Sequence, residues 1–240
     1  MNFDRNRIGV LDHGFVILRN VAAQTRRFDQ EFDASDIDPA NAARMSFDAM
    51  DSRPVEDDLR LAKYLMKNWH TSPFEMVQIW MEVKLPIFVA RQFVRHRTAR
   101  LNEVSGRYVT LPAEWYIPAT VGGKPTNGAK QGQEDNLDRA TQNVFRHVLN
   151  DHCAAGYRHY QNAIEAGVAP EHARMLLSLN HYTHWLWNQD LHNMMHLLAL
   201  RIGSHAQVEA QAYAQAKLTL LERALPHSIA LFHEYRKAHA

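Results

Sequence analysis

The residues best equipped for chemistry lie in one run, Arg95-His96-Arg97-Thr98-Ala99-Arg100-Leu101-Asn102-Glu103-Val104-Ser105-Gly106-Arg107-Tyr108. Five arginines fall within the seventeen residues from Arg91 to Arg107, in a chain of 240 residues whose formal net charge is only +1. The excess of positive charge is therefore local. A guanidinium presents a planar fork of donors that matches phosphate or carboxylate, so such a cluster beside Asn, Glu and Ser suits a small phosphorylated ligand. Pairing with surface carboxylates is the ordinary alternative, yet Glu103 is the only acid between Glu82 and Glu114 and cannot neutralise five cations.

Other reactive groups are dispersed. His192 and His196 are four apart and His181 and His184 three apart, spacings that can chelate a metal on a helix. Asn193 follows His192, so the HExxH pattern is absent, no carboxylate stands at the matching place, and no metal site is expected. Cys153, the single cysteine, falls on the apolar stripe Leu149, Cys153, Tyr157, Tyr160, Ile164. A reactive thiolate needs exposure and a nearby cation, so this position reads as a buried structural thiol. Ser105 has no Ser-His-Asp arrangement around it and is expected to hydrogen-bond a ligand. Arg201 ends an apolar pattern, Leu191, Met194, Met195, Leu198, Ile202, where it would be partly desolvated. There it could stabilise developing negative charge, or it could simply neutralise a helix C-terminus.

Period-two alternation of Val77, Ile79, Met81, Val83 and Leu85 with Gln78, Trp80, Glu82 and Lys84 predicts a half-buried strand. Pro86 then opens a helix with Phe88, Val89, Phe93 and Val94 inward, which delivers Gln92, Arg95 and the Arg-His-Arg group at its C-terminal end. Upstream, Phe15 to Leu18 reads as a strand after the turn Asp12-His13-Gly14, and Asp29 to Asp38 as an acidic connector. Asp38-Pro39 reads as the cap and first residue of a helix through Met45. A further helix has Asp57 and Asp58 in its first turn and Leu61, Tyr64 and Leu65 as its apolar stripe, and the stretch from His70 to Glu75 breaks it at Pro73. Downstream, a β-like run at Trp115 to Ile117 precedes an exposed loop over 119–135, which lacks the spacing of a phosphate-binding loop. Helices are expected from about Asn136 to Ala166, from Pro170 through Arg174, over Leu191 to Ile202, over Ala206 to Leu225 and after Pro226, with a short extended segment in His181 to Asn188.

The 46 % apolar content and the length allow one sizeable core. With no repeat and no second composition regime, residues 1–240 read as one α+β domain, a small antiparallel sheet packed by several long helices. No apolar run is long enough to cross a bilayer, the amino terminus has no apolar signal core, and the lone cysteine fits a reducing compartment, so a cytoplasmic protein is expected. Balanced charge argues against nucleic-acid binding.

Arg95-His96-Arg97, then seven residues and Ser105, with Asn102-Glu103 inside and Gly106-Arg107-Tyr108 after, resembles the signature of the flavin-dependent thymidylate synthases. Leu200-Arg201 with Ser204-His205-Ala206-Gln207 resembles the family's second block, and the likeness runs from about Ala42 to Tyr213. It implies conversion of dUMP to dTMP with 5,10-methylenetetrahydrofolate as the one-carbon donor and FAD, reduced by NADPH, as hydride carrier, in homotetramers whose active sites form between subunits. By the same resemblance Gln92, Phe93, Val94, Arg95, Glu103, Val104, Ser105, Gly106, Arg107, Arg174 and Arg201 would hold dUMP. Arg201 would be catalytic, polarising the N3/O4 edge of uracil so that C5 becomes electron-rich without a thiolate. Ser46, His70, Ser72, Arg95, His96, Arg97, Asn102, Glu103, Asp190, Leu191, His192 and His196 would face FAD. Three positions depart from the pattern: Arg100 stands where serine is common, and Asp190 and His192 where other members have Asn and Arg. A non-catalytic nucleotide-binding regulator could use the same arginines and is the alternative reading.

Overall fold

The computed structural model describes residues 5–24, 34–48, 53–129 and 132–236. The alternation read between Val77 and Leu85 becomes strand β3, Gln78–Pro86, with Ile79, Met81, Val83 and Leu85 buried. A second nine-residue strand pairs with it along its whole length, from Gln78 opposite Asp190 to Pro86 opposite Tyr182. This is β5, Tyr182–Asp190, whose Thr183, Trp185, Trp187 and Gln189 fall opposite the inward residues of β3 and are buried on the same face. Around this pair β1 (Arg7–Val10), β2 (Gly14–Ala22) and β4 (Arg100–Glu103) complete an antiparallel sheet in the order β1-β2-β3-β5-β4. The expected α+β architecture is present.

Sequence patterning misses two strands. β1 is too short at four residues for a period to show, and the segment of β4 reads as loop because an edge strand with every residue exposed carries no alternation of polarity. Its pairing is nonetheless regular, Arg100 opposite Asn188 through Glu103 opposite Trp185. Conversely, Trp115 makes only an isolated bridge to His181, so the expected β-like run is not a strand.

Nine α-helices surround the sheet among the described residues. α1, Asp38–Arg44, is not capped by Asp38 as expected: that residue lies inside the first turn and its carboxylate accepts a hydrogen bond from the Ser35 N–H at 2.6 Å. α2, Val55–Lys67, buries Leu65 but leaves Tyr64 exposed, because its stripe borders a surface hollow. The helix break occurs at Trp69, which adopts φ 60°, and Pro73 then sits in the one-turn helix α3, Ser72–Glu75. α4, Ile87–Phe93, follows β3 directly. α5, Arg139–Glu165, is capped by Asp138, whose carboxylate accepts from the Thr141 N–H at 2.9 Å, and it stops at Gly167 with φ 83°. The helix expected to carry Arg174 is only one turn, α6 (Pro170–Ala173), with Arg174 in a 3-10 turn beyond it. α7 (Leu191–Ile202), α8 (Val208–Ala224) and α9 (Pro226–Tyr235) match expectation and pack against the sheet and each other. The 119–135 segment contains no regular element among its described residues, and Asp29 to Asp33 of the acidic connector lie outside them. No helix among the described residues is long and apolar enough to cross a membrane.

Candidate active site

The C-terminal ends of α4 and α7 meet over the core, and each brings a cation. Arg201, half-buried in the last turn of α7, donates from Nε to His96 Nε2 at 3.2 Å and from Nη2 to the Gln92 carbonyl at 3.0 Å. His96 must therefore be neutral with an unprotonated Nε2. Burial, then the neighbouring charges of Arg201, His196 and Lys217, push its pKa down to about 4, which keeps it an acceptor at neutral pH. Two of the five guanidinium hydrogens of Arg201 are thus committed, which fixes the plane while the other donors remain free for a ligand.

Arg201 borders a hollow of about 630 Å³ formed by Arg95, His96, Arg97, Thr98, Asn193, His196 and Leu200. Among the described residues Arg95, Arg97 and Arg91 form no ion pair, and Arg100 bonds to the neutral amide of Asn188 at 3.1 Å. The shortage of acids read from the sequence therefore persists in space. Arg107 is the exception, pairing with Glu171 at 3.2 Å on an exposed surface, where such a pair is weak.

Around Glu103 the chain forms a separate hollow of about 500 Å³, lined by Val104, Ser105, Gly106, Arg174 and Thr183 among others. Thr183 donates to the Glu103 carboxylate and aims it; local sequence places it only within the extended segment from His181 to Asn188 and gives it no chemical role. A Cβ on Gly106 would stand 3.1 Å from Leu111 Cδ1, tight enough that the leucine would have to give, and 3.4 Å from Arg174 Cδ, an ordinary contact. The residues assigned to one nucleotide are thus divided within a single chain: Gln92, Arg95 and Arg201 border one region, and Glu103, Ser105, Gly106 and Arg174 another.

The residues assigned to flavin are likewise spread. Ser46, His70 and Ser72 share a third hollow, of about 640 Å³, with Phe47, Tyr64 and Met76. His192 and His196 project from α7 beside Trp69, while Asn102 is exposed on β4. Three assigned side chains are otherwise engaged. Phe93 (1 % exposed) packs edge-on against Trp187 and Tyr213, and Leu191 (0 % exposed) lies in the core with its N–H on the Val77 carbonyl at 2.8 Å. Direct side-chain contact with a ligand is closed to both. Asp190 caps α7, accepting from the Asn193 N–H at 2.9 Å and from its amide at 2.8 Å. Val94 is half-buried against the core. One of the two histidine pairs separates: His181 is buried while His184, on β5, bonds to Glu82 at 2.7 Å, so three-residue helical spacing never arises there, whereas His192 and His196 keep helical spacing on α7. No group of three or more metal-ligating side chains occurs among the described residues.

Residues 30–227 match the family model described as "Thymidylate synthase complementing protein". A flavin-dependent thymidylate synthase of Gluconobacter oxydans is 40% identical over 232 residues, covering 95% of this chain and 72% of that protein. One from Wolbachia pipientis is 40% identical over 228 residues, 94% of this chain and 76% of its own. Among solved structures, the UMP/dUMP methylase PolB from Streptomyces cacaoi, bound with 5-Br dUMP, superposes with a TM-score of 0.79 at 28% identity, over 96% of this chain and 99% of that one. The fold that carries the arginine-bearing turn after α4 and the Arg201 end of α7 is thus like that of a solved nucleotide methylase, and this chain belongs to the family of flavin-dependent thymidylate synthases.

Proposed function

We propose that this protein methylates dUMP to dTMP reductively, in the cytoplasm, and that it does so without a cysteine nucleophile. The observation that carries the reading is the Arg201–His96–Gln92 arrangement, a half-buried cation held in plane beside a hollow rimmed by arginines that no acid among the described residues neutralises. Polarising the O4/N3 edge of uracil from Arg201 would accumulate electron density at C5, the carbon that must attack the one-carbon unit. Arg174 and Arg107 would grip phosphate or sugar, while Glu103, aimed by Thr183, and Ser105 would accept and donate to the nucleotide. The donor set also fits a flavin dinucleotide: free guanidinium groups suit its phosphates, and histidine and apolar walls suit its rings. When bound, FAD reduced by NADPH would supply the hydride and 5,10-methylenetetrahydrofolate the carbon. A homotetramer would bring the two regions of nucleotide contacts together from different subunits. Exposed apolar residues on α5, Val144, Phe145 and Val148, offer a surface for such association. The protein is expected to purify yellow or to take up FAD stoichiometrically in an equilibrium titration; a colourless preparation indifferent to added FAD would favour the regulator reading.

Cys153 supplies an independent check. It is buried on α5, with Sγ 3.3 Å from both Ser178 Oγ and Asn180 Oδ1, and no cation contacts it to favour a thiolate. Cys153→Ala should keep wild-type turnover and lose about 1 kcal/mol of stability from weak hydrogen bonds and packing. Loss of single-turnover activity in a folded Cys153→Ala protein would require a thiolate mechanism instead.

A further inference from the structure

The last described residue, Arg236, is a buried cation that forms no ion pair among the described residues. It is only 8 % exposed, its guanidinium carbon lies 3.3 Å from the centroid of the Trp69 ring, and Nε reaches Met66 Sδ at 3.4 Å. Nη1 is buried and has no hydrogen-bond partner among the described residues. Stacking on an aromatic face fixes the guanidinium plane and leaves its N–H edge unsatisfied. A buried charge without an opposite charge is strongly unfavourable, so a fold that keeps one gains if a ligand supplies the anion.

The surroundings name the ligand's chemistry. Arg236 and Trp69 line a small hollow of about 90 Å³ together with His192, His196, Ala199 and Leu200, room for a phosphate and not for a flavin ring. His196 and Leu200 also border the larger hollow of the Arg-His-Arg turn, so the two are adjacent along α7. Burial pushes the His192 pKa down against the pull of Glu75 and Asp190, and Asp190 is engaged by Asn193. Arg236 is therefore the dependable positive charge of this small hollow. Trp69 is held there at φ 60°, a conformation that costs a bulky residue energy and persists when its surroundings fix it.

We propose that Arg236, seated on Trp69, binds a phosphate group of a dinucleotide cofactor whose remaining parts lie over the His196–Arg201 side of α7. This deepens the functional reading above and rests on it. The experiment compares wild type with Arg236→Met and Arg236→Lys, using FAD, riboflavin and inorganic pyrophosphate in fluorescence or calorimetric titrations, NADPH half-saturation of flavin reduction, and thermal unfolding with and without FAD. Loss of one charge-assisted contact should weaken FAD roughly ten- to a hundredfold in Arg236→Met while riboflavin binding is unchanged. Unliganded Arg236→Met should melt no lower than wild type, and its FAD-induced shift should shrink, with Arg236→Lys intermediate. If FAD binding is preserved and NADPH half-saturation rises instead, the phosphate is the reductant's and the proposal stands. Equal FAD, NADPH and pyrophosphate binding by wild type and Arg236→Met overturns it, as does a parallel loss of FAD and riboflavin, which would mark a structural role. A wild type that takes up no flavin defeats the functional reading itself, and Arg236 is then judged on pyrophosphate alone: weaker binding by Arg236→Met supports the anion site, equal binding overturns it.

Discussion

Replacing Arg201 by alanine should lower the single-turnover rate of flavin oxidation in the presence of folate by on the order of a hundredfold or more, the effect of removing one preorganised charge-stabilising donor, roughly 3 to 4 kcal/mol. The expectation follows from geometry. Arg201 is held by neutral His96 and by the Gln92 carbonyl, so its orientation is set before any ligand arrives. Interactions that strengthen only as charge develops act on the chemical step, whereas Arg174, at the edge of the hollow around Glu103 and proposed to grip the substrate, should act equally on ground and transition states. Arg174→Ala should therefore raise the dUMP dissociation constant with little effect at saturation. Arg201→Lys keeps the charge but loses the fork and should rescue only partly. Both proteins would first be tested for FAD binding and assembly. Wild-type turnover by Arg201→Ala at saturating dUMP would remove the activation role and return Arg201 to capping α7.

Lys217→Met is expected to raise stability at neutral pH by up to roughly 4 kcal/mol, a shift of several degrees or more in melting temperature for a chain of this size. Lys217 is 1 % exposed on α8, with Nζ over the rings of Trp187 at 5.3 Å and Phe93 at 5.7 Å and, among the described residues, a single weak side-chain hydrogen bond to Met81 Sδ at 3.7 Å. Burial pushes its pKa from an ordinary 10.5 down to about 7. Between those values the unfolded chain binds a proton that the folded chain does not, so stability rises with pH across that window. The penalty is fully present below about pH 7 and fades as the unfolded lysine also deprotonates. Wild type should therefore be more stable near pH 9.5 than near pH 7.5, by roughly 2 to 3 kcal/mol, and Lys217→Met should lose most of that slope. Above about pH 10 the trend should reverse, because Tyr116, Tyr182 and Tyr213, whose pKa values are raised chiefly by burial, stay protonated in the fold while unfolded tyrosines ionise. Denaturant unfolding at the two lower pH values would test this. A Lys217→Met protein no more stable than wild type at neutral pH, with the same pH slope, would mean that the lysine keeps its proton through the aromatic faces around it. Met is close in length and apolar, so a packing defect would not hide the gain.

What the amino-acid order determined by itself was the local part of this protein. Alternation at Ile79 to Leu85 specified β3, since a period of two has only one way to bury a face. The spacing of Leu191, Met194, Met195 and Leu198 specified α7 from its first residue to its last, because apolar repeats and the Gly203 break bound a helix on both sides. The arginine excess at 91 to 107 was legible because charge balance within a short segment is a property of sequence, and among the described residues only Arg107 of the five forms an ion pair. Cys153 was legible as structural for the same reason that its stripe was apolar.

The tertiary structure decided what depends on partners distant in the chain. β4 exists because β5 offers it an open edge eighty-odd residues away, so its own exposed residues carried no pattern to read. The neutrality of His96 follows from burial beside Arg201, 105 residues on, and no local spacing encodes it. Lys217 and Arg236 gave no signal at all, because an ordinary lysine or arginine acquires its unusual energy only when aromatic rings from other elements, Trp187 and Trp69, close over it and remove the water.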